Sequence, residues 1–97
     1  MDIHRKMPIL KTKEQRLTDS IEILTNLKNV GADKDSGYLE TKKQLDIWIA
    51  DGFSWSGKIQ FPRYGRYAEI ILPQRADRKP TCILRATDLL KEELSAN

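Results

Sequence analysis

The chain has 97 residues, of which 39% are apolar and 32% charged, and its formal net charge is +3. A chain of this length supports one core that buries about 60 to 70% of the unfolded surface, so we expect a single domain over residues 1–97. No apolar run approaches the roughly 18 residues that a membrane span needs, and the single cysteine, Cys82, excludes an internal disulfide. Because the N-terminus also lacks the apolar core of a secretory signal, we expect a cytoplasmic, intracellular protein.

The first helix follows an N-terminal arm, residues 1–11, which shows no sustained periodicity and which we expect to be ordered only by packing. Thr12 to Gln15 match a capping box, in which the Thr hydroxyl and the Gln side chain satisfy free backbone amides at the start of a helix. Gly31 is the expected stop. The apolar residues that recur at helical spacing between these signals are Leu17, Ile21, Leu24 and Leu27.

A second helix is predicted from Tyr38 to Ala50, where helical spacing resumes after a polar connection that offers N-capping residues. Its apolar face contains Thr41, Leu45 and Trp48, and Asp51 and Gly52 end it.

A β-hairpin is predicted over residues 53–72, where Phe53, Trp55, Gly57, Ile59 and Phe61 alternate with polar residues. The sequence Pro62-Arg63-Tyr64-Gly65 is typical of a turn, because Pro presets φ and Gly tolerates positive φ. The return strand should place Ala68, Ile70 and Leu72 on one face and Tyr67, Glu69 and Ile71 on the other, before Pro73 ends it.

A third strand over residues 81–85 and a short C-terminal helix capped by Thr87 complete the predicted elements. The fold class is therefore α+β: two N-terminal helices and the short C-terminal helix pack on one face of a three-stranded, mainly antiparallel sheet. The residues expected in the core are Leu17, Ile21, Leu24, Leu27, Leu45, Trp48, Ile49, Trp55, Ile59, Phe61, Ile70, Leu72, Ile83 and Leu90.

The common catalytic and metal-binding arrangements are missing from the sequence. The one histidine, His4, lies in the arm, so neither a catalytic triad nor a zinc site has its usual ligands. Asp33 and Asp35 lack the spacing of a calcium loop and are better explained as helix caps. We therefore expect no enzyme activity, no cofactor and no metal, and keep a metal-dependent nuclease only as a remote third hypothesis.

That nuclease hypothesis would use Asp51 and Glu69 near Lys58, because two carboxylates and a lysine are the groups such sites use. Helix-end and cross-strand roles explain the same carboxylates with fewer assumptions.

The positive charge is concentrated in residues 53–86, where seven basic against two acidic residues give a net charge of +5. Arginine binds phosphate and stacks on bases, and tyrosine offers a flat ring, so the hairpin is a candidate nucleic-acid surface. Solvated surface charge and edge protection explain the same residues without a ligand. The candidate binding residues are Lys58, Arg63, Tyr64, Arg66, Tyr67, Arg75, Arg78 and Lys79.

Two functions remain open from this pattern. The first is a small non-enzymatic module that engages nucleic acid or a nucleoprotein through the basic Arg/Tyr hairpin face. The alternative is a protein-interaction or inhibitory accessory factor of the phage or mobile-element type, because Tyr and Arg are also enriched where protein interfaces concentrate their binding energy. Its partner would be an acidic protein surface.

Overall fold

The computed structural model of the protein describes residues 9–87 and confirms an α+β architecture. Two helices, α1 (Lys13–Asn29) and α2 (Ser36–Asp51), are joined by a 3-10 turn at Ala32–Lys34. Three strands follow, β1 (Trp55–Phe61), β2 (Arg66–Leu72) and β3 (Thr81–Ala86). The predicted C-terminal helix, with its core residue Leu90, and most of the predicted arm lie outside the described residues.

The predicted capping box at the start of α1 is confirmed. The Gln15 amide donates to Thr12 Oγ1 at 3.0 Å, and the Thr12 amide donates to Gln15 Oε1 at 2.8 Å. These two bonds satisfy amides that the first turn of a helix leaves without a partner. At the other end the backbone reverses through Gly31, whose φ of +81° lies in the left-handed region that glycine tolerates best.

The first turn of α2 packs directly against the end of β1. Asp35 caps the helix by accepting a hydrogen bond from the Gly37 amide at 3.0 Å. A Cβ atom on Gly37 would lie 2.5 Å from the Gln60 carbonyl oxygen and 2.6 Å from the Phe61 ring, so only glycine fits this contact. The absence of a side chain at this position therefore sets how closely α2 approaches the sheet.

The sheet is antiparallel, with strand order β1-β2-β3, so β2 is central. The predicted turn joins β1 to β2: the Tyr64 amide donates to the Phe61 carbonyl at 3.1 Å, and Gly65 has a φ of +69°. In the resulting register Ile59 pairs with Ala68, and Ala68 pairs with Leu84. The pairing brings the alternating apolar residues of all three strands onto one face.

Both helices cover this apolar face of the sheet, and the core lies between the two layers. Helix α2 contributes Leu45 and Trp48, each with only 1% of its surface exposed. The buried apolar residues are Ile23, Leu27, Ala32, Leu45, Trp48, Ile59, Phe61, Ala68, Ile70 and Leu72.

Helix α1 is rotated relative to the prediction, because Leu17 and Ile21 are exposed by 49% and 57%. The buried positions are instead Ser20, Ile23 and Leu27. Arg16 lies on the same inward side of α1, where its guanidinium donates to the Ile49 carbonyl of α2 at 2.9 Å. Leu17 and Ile21 each follow an inward-facing residue, Arg16 and Ser20, so their side chains point about 100° away from the buried side of the helix.

Two strand predictions were also wrong. Ile83 was expected in the core but is 46% exposed, because the register pairs it with Glu69 on the opposite face while Cys82 and Leu84 pack against the core. Every residue of the Cys82–Leu84 run is apolar, so no alternation of apolar and polar residues indicates which face is buried. Strand β1 begins at Trp55 and not at Phe53, which is exposed.

Candidate binding surface

The sheet face opposite the helices is the surface on which the candidate residues can meet a ligand. It presents alternate residues of the three strands, and no described part of the chain packs over it. We call it the outer sheet face and define it by Ser56, Lys58, Gln60, Tyr67, Glu69, Ile71, Thr81, Ile83 and Arg85.

Tyr67 lies on β2, in the middle of the three strands, and is flanked by cations. The Lys58 ammonium lies 5.3 Å from the centroid of the Tyr67 ring, within the range of a cation–π contact. Arg85 is directly opposite Tyr67 on β3, and Gln60 is opposite it on β1. One aromatic ring is thus held at a half-exposed position between two basic side chains.

Arg85 also forms an ion pair with Glu69, its diagonal neighbour on β2. The hydrogen bond to the Glu69 carboxylate raises the pKa of Arg85 above its ordinary value, so the guanidinium stays charged. The contact directs the Arg85 side chain towards β2. It also places the negative charge of Glu69 next to the cations of the outer sheet face.

The hairpin turn is bonded to the connection between the helices. The Tyr64 hydroxyl donates to the Val30 carbonyl at 2.7 Å, and the Tyr64 amide donates to Asp35 Oδ2 at 2.9 Å. Arg63 Nη1 donates to the Lys34 carbonyl at 3.2 Å. These bonds use the Tyr64 hydroxyl within the fold and hold the turn against the helices, so the turn is not a freely projecting ribbon.

Arg66 begins β2 immediately after this turn. It is exposed and pairs with Phe61 on one side and Ala86 on the other. Because Phe61 faces the core, Arg66 lies at the turn end of the sheet but on the face opposite Tyr67.

The loop over residues 73–80 holds the other three candidate cations at the opposite end of β2. Arg75 is bonded to Asp77 through both its Nε, at 3.0 Å, and its Nη2, at 2.6 Å. That hydrogen bond lowers the pKa of the Asp77 carboxyl. Lys79 lies 3.4 Å from Glu22 of α1, and Arg78 is exposed.

The eight predicted residues therefore do not form one surface. Arg63, Tyr64, Arg66 and Tyr67 lie at or next to the turn, and Lys58 pairs with Glu69 at the middle of β2. The loop cations instead follow the far end of β2, about 20 Å from the turn at the rise of a strand. Arg85 and Gln60 belong with Tyr67 but were not among the predicted residues. Gln60 could be placed from the pairing of the predicted hairpin, whereas Arg85 depends on the register of β3, which an apolar run does not specify.

Chemistry based on a bound metal gains no support from the described part of the chain. Within residues 9–87 no three His, Cys, Asp or Glu side chains come close enough to hold a metal ion. Glu69 is paired with Arg85, and Asp51 lies at the end of α2. No helix in the same range is long and apolar enough to cross a membrane.

These features define a two-layer α+β domain with one exposed, partly basic sheet face. Searches against protein-family models, curated proteins and solved structures give no match for this chain.

Proposed function

We propose that the protein is a nucleic-acid-binding module that holds a single strand on the turn end of its outer sheet face. The observation that carries the proposal is the half-exposed Tyr67 ring, with Lys58 over it and Arg85 opposite it. A partly exposed ring flanked by cations can stack on a base while the cations bind the adjoining phosphates.

The shape of the sheet favours a single strand over a duplex. A two-stranded ribbon can enter the major groove of DNA only where it projects from the protein. Here the turn is bonded to Val30 and Asp35, and β3 widens the sheet beside it. A three-stranded sheet backed by helices instead offers a flat platform for unpaired bases.

Binding is tested by fluorescence anisotropy with labelled single-stranded and duplex DNA and RNA. We expect affinity for single strands that falls steeply between about 50 and 200 mM salt, because the cations displace counterions from phosphates. The decisive variant is Tyr67→Ala, which should weaken binding by about 5- to 100-fold through the loss of one stacked base, while Tyr67→Phe keeps the ring and the affinity.

A charge-matched pair of variants separates a local site from general attraction. Lys58→Gln with Arg85→Gln removes the two positive charges that flank Tyr67 on the outer sheet face, and Lys42→Gln with Lys43→Gln removes two from the exposed surface of α2. We expect only the first pair to lower affinity and reduce the salt dependence. Equal losses in both pairs, or no binding at low salt, would show that the outer sheet face is not a nucleic-acid site.

A protein partner is the second candidate, favoured by two exposed isoleucines on the outer sheet face. Ile71 and Ile83 are 53% and 46% exposed, on adjacent strands and on the same face. A partner that covers these isoleucines would bind with little salt dependence, in contrast to nucleic acid.

A further inference from the structure

The two edges of the sheet differ in chemical character. The cleft beside β1 is lined mainly by polar side chains, including Glu40, Gln44 and Lys58. The edge of β3 borders a groove of about 300 Å³ between this strand and α1. The apolar residues that line this groove, called here the α1/β3 groove, are Ile23, Leu27, Val30, Pro80, Cys82 and Leu84.

Strand β3 has little of the protection that natural edge strands use against pairing with another chain. Thr81–Ala86 contains neither proline nor lysine, and its one charged residue, Arg85, is already paired with Glu69. Among the described residues no other strand pairs with this edge. Its backbone groups can therefore continue the sheet.

The charged groups that line the groove are all paired within the chain. Asp19 Oδ2 lies 2.8 Å from Lys11 Nζ, and Glu22 Oε1 lies 3.4 Å from Lys79 Nζ. The lining of the α1/β3 groove consequently carries no uncompensated charge. Two identical grooves would not repel each other, and a strongly charged partner would find no opposite charge to bind.

We propose that a second copy of this chain pairs with β3 in the antiparallel direction, which would form a six-stranded sheet across a twofold axis. With the axis at Ile83, this residue lies opposite Ile83 of the second copy, and Thr81 lies opposite Arg85. On the inner face Cys82 lies opposite Leu84, so the two α1/β3 grooves meet and their apolar linings cover each other. A twofold axis perpendicular to the sheet keeps each residue on its own face.

This surface is small for an interface between two stable subunits. It comprises the ten residues that line the groove and the six residues of β3, two of which are shared. Standard interfaces use about 20 to 30 residues on each side, so this one belongs at the small end of the range. The dimer should therefore dissociate on dilution through the micromolar range.

The proposal is independent of nucleic-acid binding, and its test uses the full chain alone. Sedimentation velocity from low to high micromolar concentration should show a monomer–dimer equilibrium. Ile83→Lys places like charges opposite each other across the axis and should weaken the dimer at least about tenfold. Ile83→Glu should do the same, and a mixture of the two variants should recover a heterodimer.

Ile71→Lys is the matched control, because Ile71 lies on the same face with similar exposure but on the central strand. It should leave the dimer intact. Cys82 supplies a second readout, since its thiol lines the groove and should react with a maleimide more slowly as the dimer forms.

A wild-type chain that stays monomeric throughout, or an Ile83→Lys variant that dimerises normally, would overturn the proposal. A third result would also overturn it. If the wild type is monomeric and removal of residues 88–97 makes Cys82 react faster, those residues cover the groove in place of a second copy.

Discussion

The carboxylate of Asp35 accepts a hydrogen bond from the backbone amide of Tyr64 at 2.9 Å, across 29 positions of the chain. Its other oxygen accepts from the Gly37 amide and caps α2. One buried side chain thus starts the second helix and holds the hairpin turn in place.

Replacing Asp35 by Ala should therefore lower the free energy of unfolding by about 2 to 4 kcal/mol, because a helix cap and the partner of a second amide are lost together. Chemical denaturation measures the change. Asp33→Ala, two residues earlier, is the control and should change stability by no more than about 0.5 kcal/mol. Equal effects of the two substitutions would show that the Asp35 bonds contribute little.

Gly37 should tolerate no side chain, since a Cβ atom would lie 2.5 Å from the Gln60 carbonyl oxygen. We expect Gly37→Ala to cost about 1 to 3 kcal/mol through overpacking, and Gly37→Asn to cost more. Gly31 offers a contrast, because its constraint is a φ of +81° with open space around it. At that position Asn should be tolerated better than Ala, since Asn adopts the left-handed region more readily. Thermal unfolding of the four variants would reveal whether the two glycines differ in this way.

The rotation of α1 is tested by two isoleucines on the same helix. Ile23 is 6% exposed and Ile21 is 57% exposed. Ile23→Ala should cost about 2 to 5 kcal/mol through the cavity it leaves, whereas Ile21→Ala should stay within about 0.5 kcal/mol. Urea unfolding of both variants compares the same chemical change on two faces. A larger loss for Ile21→Ala would mean that the helix is oriented as the sequence pattern first indicated.

Burial raises the pKa of the Cys82 thiol from 9.0 to about 11. Above pH 9.0 the unfolded chain loses this proton while the folded chain keeps it, so this contribution to stability is complete below pH 9.0 and is lost as the pH rises towards about 11. Over that interval the wild type should lose more stability than Cys82→Ala, in which the group is absent. Urea unfolding in dilute solution measures the free energy of unfolding of the wild type and of Cys82→Ala between pH 9.0 and about 11. If the two free energies fell in parallel, the thiol would be freely solvated in the folded protein.

Local signals predicted the elements with short-range causes. The Thr12–Gln15 capping box, the turn before Gly65 and the alternation of β1 each depend on residues a few positions apart, and all three are present. The orientation of α1 was not predictable in the same way. The inward side of α1 contacts distant parts of the chain, as in the bond from Arg16 to the Ile49 carbonyl, which joins residues 33 positions apart.

The candidate surface shows the same division. The sequence identified Tyr67 and Lys58 as polar-face residues of one hairpin, and the structure places both on the outer sheet face. It could not place Arg85, because the apolar run before it fits either face. The sequence also grouped the loop cations with the hairpin surface, whereas in the structure they follow the far end of β2.

The sequence by itself determined the type and order of the elements in residues 9–87, because capping, turn chemistry and periodicity act within a few residues. Only the tertiary structure decided which helix face is buried, which tyrosine is used within the fold and which cations share a surface. Those outcomes depend on strand register and on bonds such as that between Asp35 and Tyr64. Such bonds join residues about thirty positions apart, so no pattern within a short stretch of the sequence can predict them.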